Sequence, residues 1–113
     1  HLPMRTWING RWFGEAEAGV DMQFSFADLI AHVAKSRPLT AGTLVGSGTI
    51  ANEDTSKGAS CLAEQRTVET LRDGKPATPF LKFGDRVKID ITDQAGRSVF
   101  GAIEQVVKQY VPA

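Results

Sequence analysis

The sequence predicts an α+β fold rich in β-structure, with mostly antiparallel strands and one or two helices. Three observations predict it. Bulky and polar residues alternate over residues 4–13 on both sides of Asn9-Gly10. Asn-Gly between such runs is the strongest short-range hairpin signal, because both residues tolerate positive φ. A second alternating pair has Val87, Ile89 and Ile91 before the turn residues 93–96 and Val99, Gly101 and Ile103 after it. Period-2 patterning on both sides of a Gly-containing loop reads as another hairpin, leading on to Val106 and Val107. Between the two hairpins, the segment after Ser25 has helical spacing and its own cap.

Each remaining element has a local reason. Residues 14–21 are small and acidic and read as a loop. Ser25 is a good N-cap, and Asp28 three residues on makes a short-armed capping box. Phe24 and Leu29 are placed to form a hydrophobic staple, and Leu29, Ile30 and Val33 share one face. Arg37-Pro38 ends the helix, since proline pushes the residue before it out of helical geometry. Residues 39–50 are uncharged, with Leu44-Val45 and three glycines, and read as a buried strand that something approaches closely. Residues 52–58 are a polar loop. A second helix is expected over residues 61–72, with Cys61, Leu62, Val68 and Leu71 on one face. Gly74 supplies a left-handed stop before Pro76. Thr67, Val68 and Thr70 also suit a strand there, so both assignments stand.

Composition excludes several classes of function. With 42% hydrophobic and 23% charged residues, the chain is globular rather than disordered. Its 113 residues fit one domain that should bury about two-thirds of its surface around one core. Lys+Arg and Asp+Glu both count 13, so there is no bulk attraction to nucleic acid or to an anionic membrane. No apolar run approaches the ~20 residues of a spanning helix. Neither nucleic acid nor membrane is therefore an expected partner. Cys61 is the only cysteine and reads as a small buried apolar residue. One cysteine forms no intrachain disulfide, which suits a reducing cytosol, so a cytoplasmic location is expected. The chain opens His1-Leu2-Pro3-Met4 and enters a strand-like segment almost at once, as a domain cut from a longer protein would.

The chemical inventory is short. His32 lies within the first helix and reads as a partly buried helix residue. No HxxxH, CxxC or paired-carboxylate cluster has metal-ligand spacing, so no metal site is expected within this chain. Glu15 and Glu17 sit among alanines and glycines and read as solvated. Glycines 42, 46 and 48 lack the following helix and lysine of a phosphate loop, which rejects nucleotide binding. Gly46-Ser47-Gly48-Thr49 remains. Its glycines allow a ligand to touch main chain, and its hydroxyls stand beside N–H groups, a combination that holds a carboxylate or carbonyl oxygen. On the residues alone, a purely structural glycine strand fits as well.

The order WINGRWFGE, MQFSFADLIAHVAK, LTAGTLVGSGTI, SCLAEQRTVETL, PFLKFGDRVKIDI and GRSVFGAIEQ resembles the C-terminal portion of fumarylacetoacetate hydrolase-family proteins. Phe24-Ser25-Phe26, Gly46-Ser47-Gly48-Thr49 and Phe83-Gly84-Asp85 are its most specific pieces. The resemblance implies the family's β-rich core and a divalent cation, Mg²⁺ or else Mn²⁺ or Ca²⁺. That cation would act as a Lewis acid on a 1,3-diketo or 2-oxo acid, with hydrolysis of a C–C bond. Fumarylacetoacetate-like and acylpyruvate-like compounds are the implied substrates, within aromatic catabolism. A decarboxylase or isomerase of the same family is the first alternative, and a non-catalytic structural or interaction module the second. By similarity, Thr49 with the Ser47-Gly48 backbone lines the substrate pocket. Glu64 falls near a family glutamate that orients a catalytic histidine, offset by one residue, and an exposed helix carboxylate is the other reading of it. The family's acidic metal ligands, lysine and catalytic histidine precede the Trp7-Ile8-Asn9-Gly10 region and have no counterpart here. The metal's ligands are thus expected outside this chain, and the isolated chain is expected to be inactive. Strand edges and apolar surface left open would favour self-association, so a homo-oligomer, a homodimer in the first instance, is expected.

Overall fold

The computed structural model describes residues 1–112. Its strands are β1 (Pro3–Ile8), β2 (Arg11–Glu17), β3 (Arg86–Ile91) and β4 (Ile103–Val106), and its helices are α1 (Phe26–Ala34) and α2 (Leu62–Asp73), with a 3₁₀ turn at Thr55–Lys57. The strands form one antiparallel sheet in the order β2-β1-β3-β4. The architecture is therefore α+β and β-rich, as the two hairpin patterns predict.

The Asn9-Gly10 hairpin is present, with positive φ at both residues (52° and 76°), the geometry of a two-residue turn that matches strand twist. Asn9 also fastens the hairpin to β3. Its amide side chain donates to Asp85 Oδ1 (2.9 Å) and accepts from the Arg86 N–H (2.8 Å). Beyond the turn, β2 runs to Glu17, through part of the stretch its small residues suggest is a loop. Those small residues allow close packing instead. A Cβ on Gly14 would lie 2.1 Å from the Ala59 carbonyl oxygen, and Gly14 bridges Gly58. Ala16 and Ala59 are the buried apolar residues at this contact. Nor is Glu15 simply solvated. It pairs with Arg5 at 3.0 Å, both side chains being about one-third exposed.

Helix α1 begins where Ser25 and Asp28 direct it. The capping box is complete, with the Ser25 N–H donating to Asp28 Oδ2 (2.9 Å) and the Asp28 N–H donating to Ser25 Oγ (3.2 Å). Phe24 and Leu29 line one groove, as a staple requires. His32 is exposed rather than partly buried, because α1 lies against no strand. Helix α2 starts at its N-cap Cys61, which is half-buried and free, and stops at Gly74 in the left-handed region (φ 79°). Of its apolar face, Leu71 is exposed because α2 does not pack against the sheet either.

The expected strand over residues 39–50 is not found. Residues 39–50 form no strand and are mostly exposed. Their glycines supply nothing to pack, and among the described residues no neighbouring strand offers a ladder. In the second hairpin, Ser98 bridges Thr92 and the Val99 N–H donates to the Ile91 carbonyl. Residues 99–102 leave the ladder, against the expected continuous return strand, before β4 resumes opposite β3 with Ile103 facing Ile89.

The expected single core is also absent among the described residues. The radius of gyration is 16.7 Å, against about 13 Å for a compact domain of this length. The accessible surface of 8635 Å² exceeds by roughly two-fifths that of a compact monomer of this mass. Trp12, Phe24, Leu44, Phe80, Phe83 and Phe100 are all exposed, and among the described residues no helix is long and apolar enough to cross a membrane.

An open apolar surface and the exposed edge strand β4 together favour association. Static light scattering on the chain should give dimers or larger species at micromolar concentration. A monomer mass held across a wide concentration range would contradict this.

Candidate functional site

Residues 46–49 lie on an arch between α1 and α2 that returns to the sheet before α2. Its far end is tightly anchored. The Asn52 side chain accepts from the Glu17 N–H (2.7 Å) and donates to the Glu17 and Val20 carbonyls. The Glu53 N–H donates to Asp21 Oδ2 at 2.9 Å, and Ser60 Oγ donates to the Ile50 carbonyl. On the near side, the turn at residues 40–43 closes with the Thr43 N–H on the Thr40 carbonyl and the Thr40 N–H on Thr43 Oγ1. The arch is thus pinned beyond Gly46-Ser47-Gly48-Thr49 and closed locally before it, while those four residues are themselves exposed.

The glycines of this stretch behave unlike those of the fold. Gly46 and Gly48 have no positive φ, and a Cβ added to either would meet nothing within 4 Å. Neither backbone geometry nor packing within the chain demands glycine there, in contrast to Gly14 and Gly58. Ser47 Oγ donates to the Gly48 carbonyl at 3.0 Å, which turns its proton back on the main chain. Of the two hydroxyls in the stretch, that of Thr49 makes no hydrogen bond among the described residues.

Glu64 occupies the first turn of α2, where a carboxylate is favoured by the helix dipole, and it is half-buried. The Ser60–Ile50 hydrogen bond joins the start of α2 to the residue after Thr49. Thr49 and the helix turn bearing Glu64 therefore sit at the two ends of one short tether. Among the described residues, no group of three or more His, Cys, Asp or Glu side chains comes together as a metal site requires. The residues present do not fit a metal-holding role.

The carboxylate with the strongest environment is one that residue patterns did not single out. Glu69 is buried, at 5% exposure. It accepts from the Ala77 N–H (2.7 Å), the Thr78 N–H (2.8 Å), Thr78 Oγ1 (2.5 Å) and Gln65 Nε2 (3.0 Å). The Thr78 hydroxyl and N–H, followed by Gln65 and Ala77, hold its pKa down to about 2. The available signal was Gly74 followed by Pro76, which turns the chain back along α2 and brings residues 77 and 78 onto Glu69.

The family profile described as Fumarylacetoacetate (FAA) hydrolase C-terminal matches residues 1–108. No curated protein matches the chain.

Two expectations follow from this geometry. Isothermal titration with Mg²⁺ or Mn²⁺ should show weak binding at most, and tight one-to-one binding would reveal ligands that the described residues do not assemble. For Glu69 the folded pKa of about 2 lies below the ordinary 4.5, so its network contributes fully above pH 4.5. That contribution is lost as the pH falls through 2. The urea midpoint of the chain should therefore drop over this window more steeply than that of Glu69→Gln. Parallel profiles would show that the network contributes nothing.

Proposed function

The chain belongs to the fumarylacetoacetate hydrolase family, and on that premise we propose that it forms the substrate-facing wall of a hydrolase cleaving a C–C bond. The substrate is a 1,3-diketo or 2-oxo acid of the fumarylacetoacetate or acylpyruvate type. The observation that supports this reading is the open backbone at Gly46 and Gly48, where nothing in the chain accounts for glycine. Glycine without internal cause is what a site needs when a ligand must touch main chain.

In this reading the Thr49 hydroxyl donates to the substrate's carboxylate or carbonyl oxygen. The N–H groups of Gly48 and Thr49 stand beside it, as oriented amides do in anion-binding concavities. The Ser47 side chain contributes by stiffening the Gly48 peptide through its hydrogen bond. Glu64, fixed on the first turn of α2 and tethered towards Thr49, orients a catalytic histidine supplied from outside the described residues. The divalent cation that such chemistry uses takes its ligands from outside them as well.

Thr49→Val keeps the side-chain shape and deletes the hydroxyl. A hydrogen bond to a charged group contributes roughly 1.5–3 kcal/mol. Its loss in the complete enzyme should therefore lower kcat/KM by about ten- to a hundred-fold on an acylpyruvate, at ~1.4 kcal/mol per decade. Thr55→Val, in the 3₁₀ turn, serves as the control and should change little, and both variants should melt close to the wild type. An unchanged kcat/KM for Thr49→Val would make the glycine stretch structural and remove the proposed site.

A further inference from the structure

A groove of about 600 Å³ runs between the hairpin and residues 78–82. Trp12 and Phe13 of β2 form one wall, and Pro79, Phe80 and Leu81 form the other. That second wall belongs to a strap, residues 77–81, with no helix or strand of its own. An irregular strap owes its position to whatever satisfies its backbone. Here α2 does so with side chains. Glu69 takes the N–H groups of Ala77 and Thr78 and the Thr78 hydroxyl. Arg66, one turn earlier, donates to the Thr78 carbonyl and lays its guanidinium over the Phe80 ring, 4.4 Å from the centroid. Every polar group of Thr78 is thus held by a side chain of one helix.

We propose that Glu69 is the positioning residue of this groove: with Arg66 it grips Thr78 and so fixes Phe80 and Leu81 opposite Trp12. The grip has a second consequence. Because α2 does not pack on the sheet, the strap is a direct mechanical link between them. It runs from Thr78 to Lys82, whose N–H donates to Asp85 Oδ2 (2.7 Å), and Asp85 in turn receives Asn9. Together with the Gly14–Gly58 bridge just before α2, Glu69 therefore helps set how α2 stands relative to the sheet. The inference is independent of which reaction the protein catalyses.

The test uses the chain itself. Glu69→Gln replaces the carboxylate with a neutral amide whose oxygen still faces the two backbone donors while its Nε2 meets Gln65 Nε2, so the charge-assisted part of the grip is lost. Hydrogen exchange of the amides at residues 77 and 78 should accelerate about ten- to a hundred-fold, as the loss of a hydrogen bond to a charged group implies. The β1 and β3 amides should keep wild-type rates. Trp12 emission, isolated in a Trp7→Phe background, should shift as Phe80 leaves the groove. Glu53→Gln, which removes a carboxylate elsewhere, should do neither. Should Glu69→Gln unfold the chain, Thr78→Val and Thr78→Ser decide the matter. Loosening in the valine variant with wild-type exchange in the serine variant supports the grip. Wild-type exchange at residues 77 and 78 in both, or in Glu69→Gln, overturns it.

Discussion

Strand β1 carries hydrogen-bond ladders on both edges, to β2 and to β3, and the other elements take their places from it. Thr6 at its centre is buried, and the turn that follows hands Asn9 to Asp85 and Arg86 at the mouth of β3. A strand paired on both sides satisfies its backbone without help from side chains, which lets a chain with little buried apolar surface hold a defined sheet. Much of what lies beyond the sheet is attached to it by polar contacts, the arch through Asn52 and α2 through the strap, with the packing of Ala59 against Gly14 as the apolar exception. The fold of this chain is a hydrogen-bonded frame rather than an oil-drop.

That organisation explains where the candidate site lies. A ligand wall has to be held firmly yet leave its own donors free. The arch is fixed just beyond residues 46–49, through Asn52 and Ser60, and leaves that stretch exposed. Polar fastenings carry direction as well as strength, so Asn52 and Ser60 determine which way the arch faces. The same logic distinguishes the two acids of α2. Glu69 is saturated with donors and acts on structure, whereas Glu64 stands on the first turn of α2.

Local signals were legible in the sequence wherever the chain satisfies itself. Asn9-Gly10, the Ser25/Asp28 box and Gly74 each encode a backbone geometry within four or five residues, and each is found. The patterns misled where the outcome depends on a distant partner. Residues 14–17 looked like a loop because they are small, yet smallness is what lets residues 58 and 59 approach β2. Residues 39–50 looked like a buried strand, but apolar character cannot make a strand without a ladder to join. Glu69 was hidden for the same reason, since its donors lie eight and nine positions ahead across a turn. For the site, the family resemblance pointed to Thr49 and Glu64, and their tether through Ser60 and Ile50 appears only in three dimensions.

The central claim is that a substrate oxygen meets the main chain at residues 46–49. It is tested most directly in the complete enzyme, using glycine labelled with the NMR-active nitrogen isotope and oxalate as a planar mimic of a 2-oxo acid. The account predicts that the Gly46 and Gly48 amide resonances shift as oxalate saturates the enzyme, while those of Gly14 and Gly58, locked in the β2 contact, stay in place. Saturation by oxalate with Gly46 and Gly48 unmoved would contradict it.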